Sequence, residues 1–294
     1  MRLLVTGATG FLGSRTADVL EARGHEVVRV ARPGGAERAA AARAGLVHAD
    51  VGDPDARRLL AGCDAVLHFA GVPDPTRARR DPARAVRENA GTTLNLLEGC
   101  LEHGAGLLYP STVRAALDPP PDAYAVSKRL GEKVCRLHAA RAAVVRLTSV
   151  FGPGQVASEG ATGAVAAFAA RALAGEPIVI LGDPGRGRDF VFVDDLVPAF
   201  ERLLSGGFWG ETVTLARGET TPLAEAARLV VAATGSRVAV ETPGGNLAPG
   251  ENETYAADPP PPDLGFTNRP LEEGVGLYVD WLTRHPAAQG RPGA

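Results

Sequence analysis

Cysteine is scarce in this chain. Cys63, Cys100 and Cys135 are three in 294 residues, odd in number, far apart and never in a C-x-x-C spacing. A disulfide framework and a zinc site both fall away, and reduced, buried thiols are the expectation. Lysine is scarcer still, with Lys128 and Lys133 the only two among 31 basic residues. Charge of one sign is also missing: 31 basic against 34 acidic side chains leave a formal net charge of -3, so no global field draws the chain toward nucleic acid or anionic lipid. No basic segment followed by an apolar one opens the sequence, and no run of about 18 uncharged apolar residues occurs anywhere. Neither secretion nor a membrane span is expected, and a cytoplasmic location is.

What is present is ordinary globular material, 45% apolar and 22% charged, long enough for one large domain or two coupled ones. Strand-like apolar runs at 2–6, 26–30, 46–49, 65–69, 106–109 and 143–147 alternate with helical stretches at about 11–22, 35–44, 55–61, 82–102 and 122–140. Several of the strands are continuously apolar, as strands covered on both faces are. The βαβα order predicts an α/β fold, a doubly wound parallel sheet of Rossmann type over residues 1–150, with contributions from about 188–205. Residues 151–294 are expected to form a smaller C-terminal α/β substrate-binding region, with a helix at 161–174, a strand at 178–181, a turn at Pro259–Pro262 and a terminal helix at 271–284.

The first strand runs directly into Gly7-Ala8-Thr9-Gly10-Phe11-Leu12-Gly13 and then a helix. Glycines at that place permit a tight turn and close approach of a dinucleotide, whose pyrophosphate meets the free N–H groups of the helix N-terminus. The second strand ends at Ala31-Arg32, where an NAD site would carry a carboxylate for the adenosine ribose. Arg32 suits a 2′-phosphate instead, so NADP(H) is the preferred cofactor and NAD(H) the alternative. Asp50-Val51, after the third strand, is placed to meet the adenine ring.

Tyr124 and Lys128 stand four apart on a predicted helix, in a chain with four tyrosines and two lysines, so the pairing is seldom an accident. Residues i and i+4 share a helix face. An ammonium beside a phenol is expected to lower its pKa, letting the tyrosine pass a proton to or from a carbonyl oxygen. A compact ammonium also suits a bond to the nicotinamide ribose.

These pieces, with His68-Phe69-Ala70-Gly71, Glu88-Asn89-Ala90-Gly91-Thr92, Tyr109-Pro110-Ser111-Thr112 and Arg188–Asp195, resemble an extended short-chain dehydrogenase/reductase of the NAD-dependent epimerase/dehydratase group, which acts on nucleotide-sugars. The resemblance covers nearly the whole chain. It implies that Thr112, or failing that Ser111, bonds the reacting sugar oxygen, and that Tyr124 is the acid/base with Lys128 beside it. It further implies that Phe69, Ala70 and Gly71 line the cofactor pocket, that Asn89 lies near the proton relay, and that Ser149 and Arg188 contact substrate, Arg188 at the diphosphate. A homodimer through helices 82–102 and 122–140 is possible by the same resemblance.

Departures narrow the reaction. Val113-Arg114 stand where relatives that dehydrate carry Asp-Glu, Ala116-Leu117 where Tyr-Gly is common, and Ala248-Pro249-Gly250-Glu251 where a second arginine is common. The expected activity is NADPH-dependent reduction of the C4 keto group of a nucleotide-bound keto-deoxysugar. The alternatives are an NAD-dependent nucleotide-sugar 4-epimerase, a reductase of a non-sugar ketone or aldehyde, and a non-catalytic dinucleotide sensor. No metal is expected.

Overall fold

A computed structural model describes residues 1–33, 45–156, 163–267 and 269–289. In chain order the elements are β1 (Arg2–Thr6), α1 (Phe11–Ala22), β2 (Glu26–Ala31), β3 (Val47–His48), β4 (Ala65–His68), α2 (Pro75–Arg80), α3 (Pro82–Val86), α4 (Thr92–His103), β5 (Gly106–Thr112), α5 (Ala123–Leu137) and β6 (Ala142–Leu147). There follow β7 (Ser149–Phe151), α6 (Ala164–Ala174), β8 (Ile178–Leu181), β9 (Gly187–Arg188), β10 (Phe190–Phe192), α7 (Val197–Leu204), β11 (Thr212–Leu215), β12 (Thr221–Pro222), α8 (Leu223–Thr234), β13 (Val240–Gly244) and α9 (Leu271–Arg284). The chain divides into two units. The first holds Met1–Leu147, Val197–Thr214 and Pro261–Phe266; the second holds Thr148–Leu196, Leu215–Pro260 and Thr267–Ala294.

The first unit is built on a seven-stranded sheet in the order β11-β6-β5-β4-β1-β2-β3. From β6 through to β3 the described ladders are all parallel. Leu3, Leu4, Val5, Val66, Leu67, Leu107 and Leu108 are buried on both faces of the sheet, which is why these strands read as unbroken apolar runs. Because β2 and β3 lie to one side of β1 while β4, β5 and β6 lie to the other, the winding reverses between β1 and β4. The carboxyl ends of those two strands are where open α/β sheets bind ligands.

Caps fix the helix starts. Asp74, Asp81 and Asp122 each accept a backbone N–H of the first turn of α2, α3 and α5, at 2.8, 2.9 and 2.8 Å, satisfying a donor that the helix leaves open.

Three expectations change. The helix over 82–102 is interrupted: α3 and α4 are joined by a π-turn at Arg87–Gly91, whose extra residue turns Asn89 inward to full burial. The stretch 55–61 is a 3-10 helix, Pro54–Leu60, started by the Asp53 carboxylate. β5 continues past 109 to Thr112, because Pro110 needs no N–H where it pairs with Val145. The helix expected at 35–44 lies outside the described residues, and that at 161–174 is described from Ala164.

The second unit packs Phe151, Phe168, Phe190, Phe192, Val275 and Tyr278 into one core. Within it the buried Asp189 carboxylate accepts the N–H groups of Arg217 and Gly218 at 3.0 and 2.9 Å and the Thr148 hydroxyl at 3.2 Å. The buried Asp195 pairs with Arg269 at 3.0 Å.

The tightest joint of the first unit lies between α5 and β5. A Cβ on Gly131 would overlap the Tyr109 hydroxyl and stand 2.9 Å from the Asn89 carbonyl oxygen. Gly131→Ala would gain about 1 kcal/mol of helix propensity, yet the rigid neighbours make overpacking the larger effect. A net loss of about 1–3 kcal/mol is expected in urea unfolding; an unchanged or raised midpoint would refute this packing.

Candidate active site

Gly7 leaves β1 with φ of 65°, and a Cβ there would come within 2.7–2.9 Å of the Phe69 and Ala70 backbone. Only glycine lets the two loops approach so closely. Gly10 then caps α1 without any side-chain bond, so the N–H groups of Phe11, Leu12 and Gly13 have no intrahelical partner. A bare helix N-terminus, between a glycine turn and the Phe69-Ala70-Gly71 loop at the sheet's switch point, is a cradle that fits a dinucleotide pyrophosphate. Thr9 lies half-buried in the same turn.

Behind that loop runs a hydrogen-bond chain that sequence reading missed. The Ala70 N–H donates to Thr6 Oγ1 at 3.1 Å, and Thr6 Oγ1 lies 2.8 Å from His68 Nδ1. Nε2 of the same ring lies 3.1 Å from Thr92 Oγ1, whose proton goes to the Glu88 carbonyl oxygen at 2.5 Å. Thr92 must therefore accept from Nε2–H, and Nδ1 must accept from Thr6, which fixes a neutral tautomer. Complete burial and the nearby Lys128 hold His68 down to about 3.

At the β2 end, Arg32 donates to Glu88 Oε1 at 2.9 Å, and the same oxygen accepts from Arg84 at 2.8 Å. The arginine meant for a phosphate is thus already in an ion pair, on the exposed rim of the site. Asp50 caps its own turn through the Gly52 N–H at 2.9 Å, and the carbonyl of the buried Val51 accepts from Asn95 at 3.0 Å.

On the other side of the switch point, β5 delivers Ser111 and Thr112 while α5 delivers Tyr124 and Lys128. Thr112 Oγ1 accepts the Arg114 N–H at 3.3 Å. Lys128 Nζ donates to the Pro110 carbonyl at 2.8 Å and sits 4.9 Å from the Tyr109 ring centroid; burial brings its pKa to about 8. Burial raises the Tyr124 phenol above its ordinary value, opposed by the cation of Arg114. The expected lowering by Lys128 is therefore corrected: Lys128 is turned to the Pro110 carbonyl, and Arg114 is the cation that favours the phenolate. Arg114 itself is locked to Asp122, the carboxylate that caps α5.

Ser111 donates to Glu132 Oε1 at 2.6 Å, and Glu132 takes Arg146 bidentately at 2.9 and 2.7 Å, so Ser111 belongs to a buried structural network. Asn89 is engaged on both sides of its amide, accepting from Val72 N–H at 2.8 Å and donating to Val72 O at 3.1 Å and Ser127 Oγ at 2.8 Å. Those bonds tie the loop at Val72 to α5.

In the second unit Ser149 is half-buried at the head of β7, its N–H donating to the Asp189 carbonyl at 2.9 Å. Arg188 donates to the carbonyls of Gly187 at 2.9 Å, Glu251 at 2.9 Å and Glu253, over the Tyr255 ring at 5.0 Å. Its guanidinium ties down residues 251–255.

Fold and site together define an NAD(P)-dependent enzyme of the extended short-chain dehydrogenase/reductase type. Residues 3–215 match the NAD dependent epimerase/dehydratase family, and the chain belongs to that family. It is 29% identical to a dTDP-4-dehydro-6-deoxy-D-allose reductase of Streptomyces bikiniensis, over 96% of each chain, and 31% identical to a UDP-glucose 4-epimerase of Mycolicibacterium smegmatis, over 80% of this chain and 83% of that one. The solved UDP-glucose 4-epimerase of Thermotoga maritima, bound to UDP-glucose, superposes with a TM-score of 0.84 at 26% identity, covering 97% of this chain and 99% of the other.

The depressed pKa of His68 carries a stability consequence. Unfolded histidine takes up a proton near 6.5, while the folded ring resists down to about 3, so the contribution is complete above 6.5 and is lost as pH falls below it. By pH 5 the loss amounts to about 2 kcal/mol. Denaturant unfolding at pH 7 and pH 5 should therefore show a steeper acid loss in the native chain than in His68→Asn; equal losses would show the ring titrates normally.

Proposed function

We propose that the protein is an NADPH-dependent ketoreductase acting on the C4 carbonyl of a nucleoside-diphosphate-bound keto-deoxysugar. The observation that carries this reading is the end of β2, where Ala31 offers no carboxylate and Arg32 offers a cation. The reductase from Streptomyces bikiniensis, similar over the full length of both chains, supports it. The residues of the glycine turn, the Phe69-Ala70-Gly71 loop, Arg32, Asp50 and Val51 would hold the dinucleotide, with Lys128 at its nicotinamide ribose. When bound, the reduced cofactor supplies a hydride.

The chain's own work is binding, orientation and proton delivery. Thr112 orients the substrate carbonyl oxygen by a hydrogen bond. Tyr124, kept protonated by burial, is in the form an acid requires and passes its proton to that oxygen. The buried Lys128 ammonium would hold the cofactor ribose, and the Arg114 cation stabilises the tyrosinate left behind. The two exposed apolar stripes, Leu94 and Leu101 on α4 with Val126, Leu130 and Leu137 on α5, support assembly as a homodimer.

A second reading, an NAD-dependent nucleotide-sugar 4-epimerase using the same residues, is favoured by the Arg32–Glu88 ion pair, because a carboxylate already answers the cation. Calorimetric titration with NADPH and NADH decides between them. At least tenfold tighter NADPH binding, about 1.4 kcal/mol, is expected. Tightly copurifying NAD without NADPH preference would establish the epimerase.

Two sets of variants refine the test. Arg32→Ala should remove about 1.5–3 kcal/mol from NADPH binding and little from NADH. Glu88→Gln should strengthen NADPH by up to about 1 kcal/mol, since the pair it breaks is surface-exposed. Tyr124→Phe should lower turnover about 100-fold or more with cofactor affinity kept; undiminished turnover would remove Tyr124 from the reaction.

A further inference from the structure

Arg129, Glu132, Lys133 and Arg136 recur at i, i+3, i+4 and i+7 on α5 and so share one face. With Ala115 and Ala116 from the turn after β5, and Arg146 from β6, they line a cavity of about 190 Å³. One water requires only about 10–15 Å³, so the space admits a polyatomic ion.

Four cations and one carboxylate surround this cavity. Arg146 holds Glu132 bidentately, and Ser111 takes a further bond to it, so that carboxylate is answered. Arg129 caps the carbonyls of Ala115 and Leu117 and reaches the exposed Asp118 at 3.3 Å. Lys133 and Arg136, both exposed, have no ion-pair partner among the described residues. The negative end of the α5 dipole, about half a charge, cannot balance them. Lysine is otherwise replaced by arginine throughout the chain: one of its two lysines lies in the candidate active site and the other faces this cavity.

We propose that this cavity is an anion site, distinct from the cofactor and substrate positions, that takes the phosphate or diphosphate group of a small phosphorylated molecule between Lys133, Arg136 and the outer edge of Arg146. The cavity is too small for a nucleic-acid strand, and the outer edge of the Arg146 guanidinium matches the tetrahedral oxygens of phosphate.

The test uses inorganic diphosphate on the full chain saturated with cofactor, at ionic strength matched with chloride. Limited acetylation is read at Lys133 by peptide mass spectrometry, with the N-terminal amine as the reagent reference. Diphosphate should slow acetylation of Lys133 saturably, about tenfold at ten times its dissociation constant. Arg136→Gln should abolish most of that protection while leaving thermal stability and turnover unchanged. A Lys133 that is acetylated equally with and without diphosphate, that resists acetylation when no anion is present, or that is protected as well in Arg136→Gln, would overturn the proposal.

Discussion

The buried phenol of Tyr109 determines how near α5 can come to β5, and the geometry of the candidate active site depends on that separation. Its hydroxyl donates to the Asn89 carbonyl at 3.0 Å, its ring lies under the Lys128 ammonium, and its end faces Gly131. One aromatic side chain thereby couples the π-turn, β5 and α5. With a hydroxyl on the strand and a phenol on the helix, the groups proposed to react come from two elements held by packing, as pre-organisation demands.

Around that joint, charge is arranged in closed pairs. Arg114 with Asp122 holds the turn after β5 against the start of α5, and Arg146 with Glu132 holds β6 against the same helix further along. Both arginines are largely buried, so removing either carboxylate would leave an uncompensated cation in a region of low dielectric. Arg114 stands where dehydrating relatives carry a second catalytic carboxylate. A cation locked in place there is incompatible with taking up a proton, and it instead draws the neighbouring phenol toward ionisation.

How much of this was legible in the sequence varied with the range of the interaction. The glycine turn, the parallel sheet and the Tyr124/Lys128 spacing are local patterns, and they could be read because strand and helix periodicities place side chains within a few residues. The break in the helix over 82–102 was hidden because a π-turn leaves the apolar pattern on both sides intact. Ser111, Asn89 and Arg188 were assigned by motif position, but each is decided by a partner 17 to 65 residues away. His68 carried a weak signal, an isolated histidine ending an apolar strand, whose meaning lay in Thr6 and Thr92.

The near-exclusive use of arginine has a consequence for how the molecule exchanges protons with solvent. Guanidinium groups stay protonated across the accessible pH range, so the ion pairs Arg29 makes with Asp18 and Glu21, or Arg57 with Glu102, cannot be broken by alkali. The arginines therefore take no part in alkaline titration, which falls on a small set of other groups. Of these, Lys128, with its pKa near 8, sits inside the candidate active site. An alkaline limb in its pH–rate profile would thus report on the groups of that site rather than on the surface arginines.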